Sequence, residues 1–345
     1  RGGFFKKAGG DLLGFDVGGE DDGPAGAKAD DVYARMLKRP AAERLKLLRE
    51  ATGAEGQFLW AILRNGFHYA AVHLAGIAET ARDVDQAMRW GFGMKQGPFE
   101  LWQEAGWLTV AKMVQEDIDA GKALCKTPLP DWVFKGPVAD AGGVHTAQGS
   151  WSPSAGKFVA RRALPVYARQ HFPEKLLGED NLPDWRVAGT TISEGDGVRV
   201  WTLDQSCADE DRVLIASIKS KMHAISPAVI EELGEALQLA EREYAGLVIW
   251  SGDAPFSVGA DLQAAMPAFI AAGIDAIDGL QQELQGLMLR IRYAQVPVVS
   301  AIHGMALGGG CELSVHSARR VAHMESYIGL VEVGVGLVPG AGGLT

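Results

Sequence analysis

The sequence predicts two differently built parts, a purely helical region over about 30–125 and an α/β region over 187–345. Three observations carry this. Up to about residue 125, apolar residues recur at the three- and four-residue spacing of helix faces. From 187 onward, short apolar or alternating runs are interleaved with helical stretches, the order of an α/β domain. Between them, over 126–186, Pro, Gly and Ser gather with scattered aromatics in "GSWSPSAGKFVARRALPVYARQHFPEKLLGEDNLPDW", which reads as surface loops leading into a linker. At 345 residues the chain exceeds the usual size of one domain.

Residues 1–29 hold short apolar pieces between glycines and acids, an edge fragment plus a flexible loop ("DVGGEDDGPAGAKADD"). Helical spacing follows in "AAERLKLLREA", "GQFLWAILRNGFHYAAVHLAGIAE" and "DVDQAMRWGF"; Asp83 or Asp85 is placed to cap the last and Gly91 to end it. "GPFELWQEAG" starts another helix with Pro98 in its first turn, where the missing N–H has no partner to lose. "WLTVAKMVQEDIDAG" runs on to Gly121. Trp60, Trp90, Trp102 and Trp107 read as aromatics packed between helices, and His68 and His73 as helix residues on a partly buried face.

In the second part, "RVAGTTISEGDGVRVWTLD" reads as a hairpin turning at "EGDG", and "RVLIASI" as a strand. "SPAVIEELGEALQLAERE" reads as a helix capped by Ser226 with Pro227 at its first position. "AGLVIWSG" is a nearly continuous apolar strand, as expected where both sheet faces are covered. "ELQGLMLRIRYA" is helical, "PVVSAIHG" a strand and "GGCELSVHSARRVA" a helix.

Composition excludes several classes. With 43 acidic and 33 basic residues the formal net charge is −10, which argues against a nucleic-acid surface. Cys125, Cys207 and Cys311 form neither a CxxC pair nor a zinc spacing, as a reducing cytoplasm permits. His303 and His316 flank a glycine run with no ligand set to complete a metal site. No stretch reaches the about 18 apolar residues of a membrane helix, and the first residues lack a signal-peptide order. The chain starts without Met and stops at "GAGGLT", a glycine-rich loop of the kind that precedes a helix, so truncation at both ends is expected.

Two junctions could carry chemistry, "SGDAPFSVGADL" and "AIHGMALGGGCELSV". Small residues at a helix start let a ligand approach amide hydrogens that have no helical partner, and two such N–H groups aimed at one oxygen form an oxyanion hole. The alternative is that Gly308, Gly309 and Gly310 merely permit close helix-to-sheet packing; local sequence does not choose. Glu312 falls in the first turn of an apolar helix, and Glu332 interrupts the apolar run "YIGLVEVGVGLVPGAGG". A buried carboxylate needs compensation, so each is either a working acid or an ordinary helix-terminal or paired one. Cys311 reads as a buried thiol without a histidine partner.

Residues 187–345 resemble the enoyl-CoA hydratase/isomerase (crotonase) superfamily through "KMHAISPAVIEEL", "FSVGADL", "AIHGMALGGGCELSVHSARRV" and "YIGLVEVGVGLVPGAGG", in that order and spacing. The resemblance implies a ClpP/crotonase-like α/β spiral domain, incomplete at its C-terminal end. It implies a thioester oxygen held by the amides of Ala260 and Gly309, a water served by Glu312 and Glu332, and help from the backbone of Gly340. Members limited to isomerisation commonly lack one of the two acids, so the pair points to hydration. Lys221, His223, Ala224 and Ile225 match the stretch lining the adenine side of the coenzyme A site, where "KMHAI" stands in place of the commoner "NAL".

Residues 30–125 resemble the all-helical C-terminal domain of 3-hydroxyacyl-CoA dehydrogenases, best in "DVDQAMRWGFGMKQGPFELWQEAG", with Gln103 where the family has an aspartate. "GGFFKK" resembles the "GxGFY" signature near the end of a preceding helical repeat, which makes 1–29 the tail of that repeat. Together the parts resemble a stretch of a bacterial bifunctional fatty-acid β-oxidation protein. The implied activity is reversible syn addition of water to a trans-2-enoyl-CoA, without cofactor or metal. NAD would act only through a dinucleotide domain, whose strand–GxGxxG–helix arrangement does not occur in 1–345. Implied partners are the acyl-CoA substrate, further copies in a homo-oligomer, and a thiolase. The rival readings are double-bond isomerisation at the same site and a non-catalytic scaffold.

Overall fold

The computed structural model describes residues 5–8, 11–15, 22–24, 31–203, 212–263, 267, 270–271 and 273–344. The chain divides into two units, Arg1–Pro183 and Asp184–Thr345. Gly2, Gly3 and Phe4 of "GGFFKK", most of the loop expected at 16–30, and Cys207 lie outside the described residues.

In the first unit, β1 (Phe5–Ala8), β2 (Asp11–Phe15) and β3 (Asp22–Pro24) form an antiparallel meander where an edge fragment and the tail of a helical repeat were expected. Seven helices follow: α1 (Asp31–Met36), α2 (Ala41–Glu50), α3 (Ala54–Ile77), α4 (Ala81–Phe92), α5 (Pro98–Glu104), α6 (Trp107–Asp119) and α7 (Pro137–Ala141). Their apolar stripes meet in one core built on Leu45, Leu48, Phe67, Leu74, Phe99, Trp102 and Val110. Trp102 and Trp107 stack with centroids 4.4 Å apart, and their indole N–H groups donate to the carbonyls of Trp107 and Val133. Trp90 departs from the expected packing role: it is exposed and donates to Glu174. Asp117 is buried under Trp60, Arg64 and Arg49; burial opposes its ionisation, but those donors outweigh it and hold the carboxyl below the usual range.

The caps of α4 differ from the expected ones. Thr80 precedes the helix and Asp83 answers it in a capping box, while the left-handed residue that ends it is Gly93 (φ 65°), two positions beyond Gly91. Asp85 caps a different helix: it accepts the Phe99 and Glu100 amides at the start of α5, at 2.9 and 2.8 Å.

The segment 126–186 is not only a linker. Val133, Val138, Val144 and Trp151 are buried in the helical core, and β4 (His145–Thr146), β5 (Gly149–Ser152) and β6 (Lys157–Val159) form an antiparallel sheet. Val138, Val144 and Trp151 sit singly among small and polar residues, and Val133 lies in the short run Trp132–Phe134, so no periodicity announces them.

The second unit carries a six-stranded sheet in the order β13-β11-β10-β9-β8-β7. Its strands are β7 (Thr190–Glu194), β8 (Val198–Thr202), β9 (Val213–Ile218), β10 (Gly246–Ile249), β11 (Val298–Ile302) and β13 (Arg319–Ala322). The first two form the expected hairpin and pair antiparallel; β9, β10, β11 and β13 run parallel. A separate parallel pair joins β12 (Met305–Leu307) to β14 (Tyr327–Gly329). Helices α8 (Pro227–Glu243) and α9 (Ile274–Arg292) bury Val229, Leu233, Leu237, Leu284 and Met288 in the same core as β9 and β10. Ser226 caps α8 by accepting the Val229 amide at 3.3 Å. A Ser226→Ala variant should lose about 1 kcal/mol of stability in this unit, read from its urea midpoint; an unchanged midpoint would rule the cap out.

Helix α10 (Gly309–His316) is shorter than expected, because "RRVA" forms β13 beside β11. Its last carbonyls are taken by side chains: Ser314 Oγ donates to Cys311 O, His316 Nδ1 to Glu312 O and Ser317 Oγ to Leu313 O. Of these, Leu313 O is one of the four carbonyls a helix of this span leaves without an intrahelical partner.

Candidate active site

The three glycines between β12 and α10 serve three separate needs. Gly308 has φ 52° and ψ −122°, a backbone conformation open to glycine, and a Cβ there would come 3.3 Å from Glu332 Oε1. A Cβ on Gly309 would stand 3.3 Å from Ala260 N. One on Gly310 would meet Ser257 O at 2.6 Å, so this glycine permits close packing. The close-packing reading of the run therefore fits Gly310.

The segment opposite is held by strand-like bonds. Ser257 pairs with Ala306 and Ile225 with Ala260 in isolated parallel bridges, through Leu307 N to Ser257 O (3.0 Å) and Ile225 N to Gly259 O (2.8 Å). Gly259, at φ 93°, lets Gly309 N approach to 2.9 Å from the position of a Cβ. The Ala260 and Gly309 amides are thus neighbours, and among the described residues neither donates to a protein acceptor. Ala260 is exposed and Gly309 is buried.

Both glutamates turn inward. Glu312 is 2% exposed in the first turn of α10, where the helix dipole favours a negative charge. Its Oε1 accepts the amides of Ala341 at 2.8 Å and Gly343 at 3.0 Å. Glu332 opens a 3-10 turn, Glu332–Val335; its Oε2 is buried without a hydrogen-bond partner among the described residues. The Cys311 thiol responds to both: burial pushes it up, and the charges of Glu312 and then Glu332 push it further. Both carboxylates therefore act on the Cys311 thiol, and Glu332 also lies against Gly308, next to the two undonated amides; amides and acids of these kinds are able to polarise an acyl oxygen and to move protons.

The other expected positions fall as follows. Gly340 leaves room for Gln281, whose carboxamide lies 2.9–3.0 Å from where a Cβ would stand, and its carbonyl accepts Gln285 Nε2 at 2.6 Å. Lys221 and His223 lie in a short 3-10 turn; Lys221 is exposed, and His223 Nδ1 donates to Pro255 O at 2.6 Å, which ties that ring to the fold. Ala224 and Ile225 are buried beside the Ala260 strand. Gln281 and Gln285 escaped sequence reasoning, although they lie four residues apart in "LQQELQ" and so share a helix face.

In the first unit, Gln103 works as a backbone clamp: Nε2 donates to His145 O at 2.9 Å and Oε1 accepts His145 N at 3.0 Å. Asp85, His145 and Ser150 form a chain, with His145 Nε2–H donating to Asp85 (2.8 Å) and Nδ1 bonded to Ser150 Oγ (2.8 Å). The order is that of a hydrolase triad. Ser150 is fully buried, however, and Asp85 is engaged on α5, so this chain is structural. No group of three or more His, Cys, Asp or Glu side chains that could hold a metal occurs among the described residues. No helix among them is long and apolar enough to cross a membrane.

Comparisons with known proteins follow the same division. The family model "Enoyl-CoA hydratase/isomerase" matches residues 213–345, and "3-hydroxyacyl-CoA dehydrogenase, C-terminal domain" matches 63–132. A Bacillus subtilis protein named "Probable 3-hydroxyacyl-CoA dehydrogenase" is 30% identical over 317 residues, 92% of this chain and 37% of that protein. A "Peroxisomal bifunctional enzyme" of Cavia porcellus is 42% identical over 125 residues, 35% of this chain and 16% of that one. The crystal structure of an enoyl-CoA hydratase from Bacillus anthracis, 27% identical, covers 43% of this chain and 55% of its own, with a TM-score of 0.38. The chain spans about a third of the length of the curated relatives that match along most of it (37%, 34% and 36%).

Proposed function

Because the chain carries a crotonase-superfamily enoyl-CoA hydratase/isomerase domain behind a 3-hydroxyacyl-CoA dehydrogenase C-terminal domain, we propose that its second unit adds water reversibly to a trans-2-enoyl-CoA. The observation that carries this is the pair of undonated amides, Ala260 and Gly309, beside two inward-facing glutamates. The thioester oxygen takes hydrogen bonds from both N–H groups, which stabilise it as negative charge builds there. Glu312, aimed by the Ala341 and Gly343 amides, takes a proton from water as the water oxygen bonds to C3. Glu332 gives a proton to C2, and exchange with solvent returns the two acids to their starting states. The product is a 3-hydroxyacyl-CoA, the substrate of a dehydrogenase step for which a longer protein would supply the NAD-binding part. The exposed turn at Lys221 is the proposed adenine side of the coenzyme A site.

Gly309→Ala tests the amide pair. Its Cβ would crowd Ala260 N at 3.3 Å, close enough that the neighbour must give a little. The expected result is a fall of about tenfold in kcat/KM for crotonyl-CoA, and an undiminished value would remove Gly309 from the oxyanion site. Product analysis with a 3-enoyl-CoA separates hydration from isomerisation: a shifted double bond without added water would favour the isomerase reading.

A further inference from the structure

The peptide between Gly340 and Ala341 is gripped at both ends. Its oxygen accepts Gln285 Nε2 at 2.6 Å, and its N–H donates to Glu312 Oε1 at 2.8 Å. Because a peptide is a rigid plane, the two bonds share one orientation, and turning the plane breaks both. The Gln281 carboxamide, one turn earlier on α9, lies 2.9–3.0 Å from where a Cβ on Gly340 would stand, so it packs beside the same peptide. The same Glu312 oxygen takes the Gly343 amide at 3.0 Å, so the whole 340–343 turn serves as the holder of one carboxylate.

We propose that Gln285, with Gln281 behind it, is a positioning residue for Glu312: α9 fixes the 340–341 peptide, and that peptide fixes the carboxylate. The inference rests on the hydration reading for its effect on turnover, but the clamp itself is a matter of backbone geometry. It also accounts for a glycine at 340, since any side chain there would displace the Gln281 carboxamide. Gln285 is exposed, so its loss removes a bond to one carbonyl and opens no cavity in the core.

The test compares the full chain with Gln285→Met, which keeps the length and removes the donor, and Gln285→Lys, which restores a donor; kinetics are run in high salt to screen the added charge. Hydrogen exchange at the Ala341 and Gly343 amides should quicken about tenfold in the Met variant and return in the Lys variant, with the thermal midpoint unchanged. For crotonyl-CoA hydration, kcat should fall about fivefold with KM within about twofold, and the Lys variant should recover it. Unaltered exchange in Gln285→Met overturns the clamp. Faster exchange with unaltered kcat overturns the positioning role, as does a loss of kcat that the Lys variant fails to restore. Failure of the hydration reading looks different: the unaltered chain would not hydrate crotonyl-CoA, or Glu332→Gln would be as active, while the exchange result stands.

Discussion

Glu332→Gln should lower kcat for hydration of crotonyl-CoA by about a thousandfold while leaving thioester binding close to that of the unaltered chain. The side chains are nearly isosteric, so the variant removes a transferable proton and a charge but little packing. Glu332 Oε2 is buried with no partner among the described residues, an arrangement that costs free energy and is poor design for a structural acid. Binding should persist because the proposed holders of the thioester oxygen are the Ala260 and Gly309 amides and not Glu332, whose Oε1 lies 3.3 Å from where a Cβ on Gly308 would stand. The check is the loss of enoyl-thioester absorbance under saturating substrate, with affinity for a non-reactive acyl-CoA measured in parallel. Turnover within about tenfold of the unaltered chain would remove Glu332 from the proton path.

What the sequence made legible was chiefly local. A serine followed by proline marked the start of α8, and continuous apolar runs marked β9 and β10, since such signals lie within a few residues of what they determine. Glu312 could be singled out because a carboxylate in an apolar helix turn is conspicuous. Its acceptor role could not, because the donors, Ala341 and Gly343, lie about thirty residues on and are backbone groups with no side-chain signature. Gly308, Gly309 and Gly310 looked alike as letters; only their separate neighbours, Glu332, Ala260 and Ser257, distinguish them. The turn of the chain at Ser317 was missed for a related reason. "SARRVA" can continue a helix, and pairing with β11 decides otherwise. Asp83 and Asp85 were alternative caps for one helix; Asp83 serves it in the capping box, whereas the fold brings Asp85 to the next one.

That misplaced aspartate leads to the largest expected stability effect. Asp85 is fully buried and accepts three hydrogen bonds, from the Phe99 and Glu100 amides and from His145 Nε2. Asp85→Ala would strand all three donors at once: two orphan N–H groups at the start of α5 and a ring nitrogen whose side chain has no exposed surface. A buried donor left without its acceptor costs about 1–3 kcal/mol, so stranding three at once removes a large part of a domain's usual margin. The damage should be confined to the first unit. Trp102, in α5, and Trp107, stacked on it from the start of α6, report on it, so tryptophan fluorescence in urea should show an early transition for the variant. Asp85→Asn keeps one carbonyl acceptor and should fall between Ala and the unaltered chain, while Ser150→Ala, which removes only the far end of the chain, should cost less than either. If Asp85→Ala unfolds at the same urea concentration as the unaltered chain, the aspartate does not hold α5 in place.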